Sequence, residues 1–324
     1  MRAPEFWYPG DSRATPWPAR LLQPLASLYD RIARLRAGAT TPYRAAVPVI
    51  CIGNLTAGGT GKTPVALAIA AMLSARGIAP VFLTRGYGGC EQGPLAVDLR
   101  HHSAREVGDE PLLLARAHPT IVSRKRPEGA EAACRLGAQA IIMDDGFQNP
   151  SLAKDLSVVV IDAAAGFGNG RVIPAGPLRE PAARGLARAD GVVLLGTGTP
   201  RLPGFSGPVL RAWLQPDPIT AEQIRGQTIL AFAGIGRPAK FFASLRALGA
   251  TLVETAPFPD HHPYTDREIA ALKTRAAGRL LVTTEKDFVR LDPAQRGGIV
   301  SLPVTAVFDD KAALKALLST CPSL

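Results

Sequence analysis

The strongest chemical signal in this 324-residue sequence is a glycine-rich segment that directly follows a short apolar run. The run ends at Ile52, and residues 53–63 read GNLTAGGTGKT before an alanine-rich stretch begins. Glycines let backbone N–H groups turn inward around phosphate oxygens, a lysine reaches the β- and γ-phosphates, and a threonine hydroxyl reaches Mg²⁺. The segment therefore predicts a P-loop, a binding site for the phosphates of a nucleotide.

The predicted phosphate-binding residues form one continuous run. They are Thr56, Ala57, Gly58, Gly59, Thr60, Gly61, Lys62 and Thr63. The general P-loop pattern has glycine where this chain has Thr56, and Gly58 and Gly59 can supply the lost freedom because glycine accepts positive φ cheaply. Pro64 fits only in the first turn of a helix, so a helix should begin close to the phosphates.

A second segment supplies the carboxylate groups that a nucleotide site needs. Four apolar residues at 140–143 end in Asp144 and Asp145. A Mg²⁺ ion that bridges nucleotide phosphates needs carboxylate help from a neighbouring strand. A strand followed by an acidic turn would look the same, but the P-loop upstream favours the metal interpretation. We predict Thr63, Asp144 and Asp145 as metal ligands.

The elements that must position these residues alternate along the chain. Strands are predicted at 47–52, 81–84, 140–143, 158–161 and 192–195, and helices at 65–75 and 111–117. A shorter alternation follows a proline- and glycine-rich stretch at 197–218. Continuous apolar strands between helices indicate a parallel sheet covered on both faces, with ligands beyond the carboxyl ends of the strands. We predict an α/β fold, a P-loop NTPase-like, mostly parallel sheet with a smaller C-terminal α/β domain.

One face of an N-terminal helix is apolar. Leu25, Leu28, Ile32 and Leu35 are spaced by three or four residues, and arginines and aromatic residues surround them. This combination suits a helix in a membrane interface. A helix packed on the protein's own core explains the spacing as well, so the sequence pattern leaves both interpretations open.

The charge and apolar content of the chain indicate what kind of partner it binds. Lys and Arg outnumber Asp and Glu by 37 to 27, a net charge of +10 that favours an anionic partner, although a solvated basic surface explains it too. The basic residues are not concentrated with stacking aromatics, so we expect no nucleic acid partner. No apolar run is long enough to span a bilayer and no secretory signal is present, so we expect a cytoplasmic protein.

Further segments resemble the tetraacyldisaccharide 4′-kinase family, the lipid A 4′-kinases. They are FWY at 6–8, GN at 53–54 before the P-loop, TRGYG at 84–88, GDEP at 108–111, DDGFQ at 144–148, PAGPLRE at 174–180, PDH at 259–261 and TEKD at 284–287. Each segment is modest alone, but their number and order over nearly the whole chain make the resemblance specific.

The resemblance implies an activity and a location. The expected reaction transfers the γ-phosphoryl group of ATP to the 4′-hydroxyl of a tetraacyldisaccharide 1-phosphate, forming lipid IVA in lipopolysaccharide synthesis, with ATP and Mg²⁺ as cofactors. The expected partners are this lipid A precursor and the anionic surface of the bacterial inner membrane, to whose cytoplasmic face the protein would attach peripherally. The resemblance thus favours the membrane interpretation of the N-terminal helix, and the basic composition suits both partners.

The resemblance also implies residue roles. The expected catalytic residues are Asp109, His261, Lys62, Asp144 and Asp145. Asp109 matches the family's candidate base and His261 the histidine that supports it, which agrees with chemistry because a carboxylate can accept the proton of a sugar hydroxyl. Without the family, Asp109 is equally well explained as a helix cap, and the adjacent His262 competes with His261.

Weaker expectations concern the substrate and the domains. Arg85, Tyr87, Arg179 and Glu180 are predicted to contact the sugar phosphate or the metal, although structural ion pairs would use the same residues. The expected parts are an N-terminal membrane-associating helical segment at 1–46, a P-loop kinase core at 47–200, and a linker with the smaller domain at 201–324.

Two other functions fit parts of the sequence. One is a P-loop kinase for another small anionic substrate. Such a kinase would lack the aromatic, apolar N-terminus. The other is a nucleotide-dependent switch protein, which would read guanine with an Asn-Lys-x-Asp loop. Here TEKD at 284–287 places Lys286 directly beside Asp287, without the intervening residue.

Overall fold

The computed structural model describes residues 4–9 and 16–322 and contains two sheets. The strands are β1 Val49–Gly53, β2 Pro80–Thr84, β3 Leu95–Ala96, β4 Thr120–Val122, β5 Ala140–Asp144, β6 Leu156–Asp162, β7 Gly191–Leu195, β8 Val209–Pro216, β9 Thr228–Ala233, β10 Thr251–Pro257, β11 Leu280–Thr284, β12 Ile299–Leu302 and β13 Val304–Phe308. The α-helices are α1 Trp17–Leu21, α2 Gln23–Gly38, α3 Lys62–Ser74, α4 Ala104–Val107, α5 Asp109–Ala115, α6 Arg126–Arg135, α7 Ala182–Leu186, α8 Pro218–Ile224, α9 Pro238–Ala247, α10 Asp266–Ala276, α11 Glu285–Phe288 and α12 Lys311–Leu318.

The larger sheet places the P-loop strand at its centre. Its order is β13-β8-β7-β6-β1-β5-β2-β4-β3, with only β3 and β13 antiparallel to their neighbours. Every residue of β1 and β5 is buried, as expected for strands covered on both faces. Helices α3, α5 and α12 pack on one face, and α2, α6 and α7 on the other. The predicted fold class is therefore confirmed.

The smaller sheet has the order β10-β9-β11-β12 and is parallel throughout. We call the part built on this sheet, 218–302, the second lobe and the part built on the larger sheet the first lobe. A fully buried carboxylate, Asp287, connects the segments that follow β9 and β11 in the second lobe. It accepts hydrogen bonds from the Gly234 backbone N–H, the Tyr264 hydroxyl and the Arg290 guanidinium, each at 2.8 Å.

The chain passes from the larger sheet to the smaller one at a different point from the predicted boundary after residue 200. Strand β8 lies inside the predicted connection at 197–218 yet belongs to the larger sheet, and the chain returns to that sheet at β13. Strand β13 pairs with β8, and α12 then packs against the α3 face. The second lobe is thus an insertion between two adjacent strands of the first lobe, which the order of elements along the chain did not reveal.

The apolar face of the N-terminal helix points to solvent. Leu25, Leu28, Ile32 and Leu35 are 42–66% exposed, so α2 does not pack this face on the protein's own core. The opposite face attaches α2 through buried Ala26 and an ion pair. Among residues 4–9 and 16–322, no helix combines the length and the apolarity needed to span a bilayer.

Candidate active site

The P-loop lies between β1 and α3, with its glycines where the backbone needs them. Gly61 has φ 81° at the start of α3, and a Cβ there would lie 2.2 Å from Leu195 Cδ2. The Asn54 side-chain amide donates to the Thr56 carbonyl at 2.8 Å, which closes the turn before the loop. The buried Thr60 hydroxyl has no hydrogen-bond partner within the described part of the chain. This loop conformation fits the predicted phosphate-binding role, which stays a prediction.

Strand pairing brings the two predicted metal-binding segments together. Ile52 of β1 is in register with Asp144 of β5, so the P-loop and the acid pair follow neighbouring strands at the same edge of the sheet. The Thr63 hydroxyl then donates to Asp144 Oδ2 at 3.0 Å. The other oxygen, Asp144 Oδ1, is buried without a hydrogen-bond partner among residues 4–9 and 16–322. A hydroxyl and an uncompensated carboxylate oxygen are the hard ligands that Mg²⁺ prefers, so these residues fit the ion.

The two acids of the pair have opposite environments. Burial, with the negative charge of Glu110 nearby, raises the pKa of Asp144 to about 7. Burial would also raise the pKa of Asp145, but the charges of Lys62 and Arg179 lower it overall. Asp145 lies 3.5 Å from Lys62 Nζ and receives two hydrogen bonds from Arg179 at 2.8 and 3.1 Å. Asp144 thus keeps an oxygen free of protein partners, while Asp145 is held by cationic side chains, and the metal-binding role of both acids stays a prediction.

A second cluster joins the two lobes around Asp109. This carboxylate is 3% exposed at the start of α5, and its Oδ2 lies 3.0 Å from His261 Nδ1 and 2.7 Å from Arg290 Nε. Burial alone would raise the pKa of Asp109, but the charges of Lys286 and Arg290 and the contact with His261 lower it overall. Asp109 is therefore an ionised carboxylate at neutral pH, in a position to accept a proton.

The structure separates the two neighbouring histidines. His261, with φ 58°, turns toward Asp109, whereas His262 Nε2 lies 3.0 Å from Glu268 Oε1 and its ring packs on Phe258. Of the two, His261 is therefore the one that contacts the expected base. Its catalytic role stays a prediction.

A cavity of about 100 Å³ opens beside Asp109 and His261. Tyr87 and Arg105 of the first lobe and Tyr264 of the second also line it. Tyr87 is exposed, and its ring meets the His261 ring edge-on at 5.1 Å between centroids.

The remaining predicted contact residues have different surroundings. Arg85 is exposed, and no ion pair to it is found within the described ranges. Glu180 is buried and already accepts hydrogen bonds from Gln148, Arg184 and Arg188. Arg85 is thus free to meet a ligand, whereas the Glu180 carboxylate is engaged by protein groups.

The sequence pattern missed two cations at the Asp109 cluster. Arg290 lies outside every motif, and Lys286 belongs to the TEKD segment, which contributed to the family resemblance without a role being predicted for the lysine. Both residues follow β11, whose carboxyl end faces the first lobe. Their position just beyond a buried parallel strand was the signal in the sequence that could have identified them as site residues.

Comparisons with known proteins point in one direction. A family model described as LpxK, tetraacyldisaccharide-1-P 4′-kinase, matches residues 18–322. The tetraacyldisaccharide 4′-kinase of Rhodospirillum centenum (strain ATCC 51521 / SW) is 52% identical over 324 residues, covering 98% of this chain and 96% of that protein. That of Dinoroseobacter shibae (strain DSM 16493 / NCIMB 14021 / DFL 12) is 53% identical over 333 residues, covering 99% and 97%. The crystal structure of the apo form of LpxK from Aquifex aeolicus in complex with ATP has a TM-score of 0.75 and 28% identity, covering 93% of this chain and 98% of that one.

The raised pKa of Asp144 predicts a pH-dependent stability. An aspartate in an unfolded chain titrates near 3.9, roughly three units below this group, so the folded protein binds the proton more tightly. The wild type should therefore lose up to about 1.4 kcal/mol of stability per pH unit between about pH 4 and 7, and no more above that range. Asp144→Asn removes this loss, so its stability relative to the wild type should rise from pH 5 to 7 and then level off.

Urea unfolding at several pH values, with chelator and without nucleotide, measures this difference. Asp309→Asn is the matched control, because Asp309 is an exposed aspartate outside the site. A stability difference between Asp144→Asn and the wild type that does not change with pH would contradict the prediction.

Proposed function

The chain belongs to the tetraacyldisaccharide-1-P 4′-kinase family, and from this premise we propose that it transfers the γ-phosphoryl group of ATP to the 4′-hydroxyl of a tetraacyldisaccharide 1-phosphate. The product would be lipid IVA, in lipid A biosynthesis. The observation that supports this best is the meeting of a P-loop and an ionised carboxylate at one sheet edge. Glu110, which follows Asp109, is close enough to Asp144 to raise its pKa.

The P-loop would hold the nucleotide. Backbone N–H groups at 58–63 and the positive end of α3 suit the phosphates, and the Lys62 ammonium can reach the β- and γ-phosphates. Thr63 and Asp144 would hold Mg²⁺, which would supply positive charge against the negative charge that develops during transfer. Asp145 contacts both Lys62 and Arg179, and its two hydrogen bonds from Arg179 would keep it in place when the Lys62 ammonium turns to the phosphates.

Asp109 would accept the proton of the acceptor hydroxyl. As the hydroxyl oxygen bonds to the γ-phosphorus, the bond from that phosphorus to the β-phosphate oxygen breaks, ADP leaves, and the hydroxyl proton moves to Asp109. The lowered pKa of Asp109 keeps it ionised and ready, and a carboxylate of low basicity suits a loose transition state in which the proton moves late. His261 and Arg290 would hold this carboxylate in position.

The N-terminal helix would attach the protein to a membrane surface. The solvent-facing side chains of α2 are continuous with exposed Trp17 and Leu21 of α1, and Arg31, Arg34 and Arg36 lie near them. An apolar face edged by arginine is the pattern of a helix that lies in an anionic interface. We therefore place the protein at the cytoplasmic face of the bacterial inner membrane. This face also favours a lipid acceptor over a soluble one.

Labelled ATP tests the proposed reaction. Purified protein with γ-labelled ATP and the disaccharide 1-phosphate should produce a labelled lipid, and Lys62→Ala should produce none. Asp109→Asn should lower kcat by roughly 10² to 10⁴, the usual contribution of a general base, with ATP affinity nearly intact. A wild-type reaction that yields no labelled lipid would refute the proposed acceptor.

The neighbouring histidines provide a matched pair of variants. His261→Ala removes the contact to Asp109 and should lower kcat at least about tenfold in the same assay. His262→Ala removes the contact with Glu268 and the packing on Phe258 but no contact with Asp109, so kcat should stay within about twofold of the wild type. The opposite pattern would assign the supporting role to His262.

The membrane proposal is tested by vesicle flotation. Changing Leu25, Leu28, Ile32 and Leu35 to glutamine together should reduce binding to vesicles containing anionic lipid at least tenfold, since each buried leucine is worth about 1.5 kcal/mol or more. ATP binding should not change. The control converts two other exposed leucines, Leu99 and Leu136, and should float like the wild type. Equal flotation of the two variants would refute attachment through α2.

A further inference from the structure

The aromatic segment at residues 6–8 has contacts that the proposed function does not use. Its residues are partly buried, and the Trp7 indole N–H donates to the Pro174 carbonyl at 3.1 Å. Asn169 holds the same segment through two hydrogen bonds. Its backbone N–H donates to the Trp7 carbonyl at 2.8 Å, and its side-chain amide donates to the Phe6 carbonyl at 3.0 Å. This segment, which we call the strap, is therefore fastened to the first lobe.

The strap presents an aromatic ring to the second lobe. The Arg237 guanidinium lies over the Tyr8 ring, 4.8 Å from its centroid, which is within the range of a cation–π interaction. The same guanidinium donates from Nη1 to Asp162 Oδ2, at the end of β6, at 2.9 Å. Arg237 thus lies between a buried carboxylate of the first lobe and a ring of the strap. We call Asp162 and Tyr8 together the seat of Arg237.

The two oxygens of Asp162 divide between the lobes. Oδ1 accepts from the backbone N–H groups of Ala164 and Ala165 at 3.2 and 3.3 Å, within its own loop. Among the residues that the structure describes, Oδ2 accepts hydrogen bonds only from the second lobe, from Arg237 and from Lys240 at 2.5 Å. Since a buried carboxylate oxygen without a partner is costly, separation of the lobes would leave Asp162 uncompensated. Lys240 is 56% exposed and Arg237 32%, so Arg237 should contribute more.

The residue before Arg237 shows what the seat controls. A Cβ added to Gly236 would lie 3.5 Å from the backbone N of Gly59 in the P-loop. The seat therefore fixes a piece of second-lobe backbone directly against the loop predicted to hold phosphates. The first-lobe segment that fastens the strap reaches the same loop, because its Pro177 carbonyl accepts a hydrogen bond from the Ala57 N–H at 2.7 Å.

We propose that Arg237 is a positioning residue that fastens the second lobe against the P-loop, and that the strap forms one side of its seat. Asp162 supplies the opposite charge, and the Tyr8 ring fixes the plane of the guanidinium. An aromatic segment that precedes the exposed N-terminal helix thus acts on the position of the second lobe. The lobe position follows from the geometry, whereas its effect on phosphoryl transfer rests on the proposed function.

Distances between the lobes test the seat in the full chain without nucleotide. Spin labels at two exposed positions, Leu136→Cys in the first lobe and Val253→Cys in the second, report the distance distribution by double electron–electron resonance. Cys90 and Cys134 are first changed to serine, since the other two cysteines are buried. The intact seat should give one narrow distribution, and Arg237→Gln should roughly double its width. A broad distribution with the intact seat, or a narrow one in Arg237→Gln, would overturn the proposal.

Variants of Tyr8 test the contribution of the strap. Tyr8→Leu removes the ring and should broaden the distribution, whereas Tyr8→Phe keeps the ring and should leave it narrow. Tyr8→Leu combined with Arg237→Gln should be no broader than Arg237→Gln alone, because both act through the same guanidinium. Arg246→Gln, at an exposed arginine on the same helix α9, is the control and should stay narrow. A narrow distribution in Tyr8→Leu would exclude the strap from the seat.

Kinetics distinguish positioning from a part in the chemical step. Arg237→Gln should raise KM for ATP at least about fivefold, because apparent affinity falls with the population of the binding-competent arrangement. Saturating ATP restores that arrangement, so kcat should change less than about threefold. Tyr8→Leu should raise KM in the same direction, and Tyr8→Phe should not. A lower kcat with unchanged KM in Arg237→Gln would contradict positioning. If the wild type labels no disaccharide, the proposed function fails, whereas the spin-label distances still decide the seat.

Discussion

The hydrogen bond between Thr63 and Asp144 joins the first turn of α3 to the carboxyl end of β5, and the rest of the site depends on it. It forms because β1 and β5 are adjacent and in register, and both strands are fully buried. Burial of a carboxylate is costly unless its oxygens are satisfied. Thr63 satisfies one oxygen, and the other has no hydrogen-bond partner among the described residues. The strand pairing that builds the core therefore also creates the buried, partly uncompensated acid that the proposed cation would stabilise.

Charge is divided between the lobes. The first lobe contributes the carboxylates Asp109 and Glu110, and the second contributes the cations Lys286 and Arg290. A further interlobe contact repeats this division, since Asp162 of β6 accepts hydrogen bonds from Arg237 and Lys240. Arg290 is itself held by the buried Asp287. The folding of the second lobe thus sets the position of the cations that lower the pKa of Asp109.

Ion pairs attach the exposed N-terminal helix α2 to the edge of the first lobe that carries the P-loop and the acid pair. Asp30 on α2 pairs with Arg184, which also contacts Glu180, and the neighbouring Arg179 restrains Asp145. Ion pairs at Asp30 and at Asp145, joined through the consecutive residues Arg179 and Glu180, therefore connect the helix proposed to lie in the membrane to the acid pair.

Local patterns in the sequence determined the parts of this protein that depend on neighbouring residues. The P-loop, the acid pair after an apolar strand, the α/β class and the apolar face of α2 all follow from turn chemistry and periodicity, which act over a few residues. The tertiary structure alone decided the rest. It placed β8 and β13 in the first sheet, gave Asp144 and Asp145 opposite electrostatic surroundings, and brought Lys286 and Arg290 to the cluster. These features depend on distances between residues far apart in the chain, which are set by strand pairing and by the contact between the lobes.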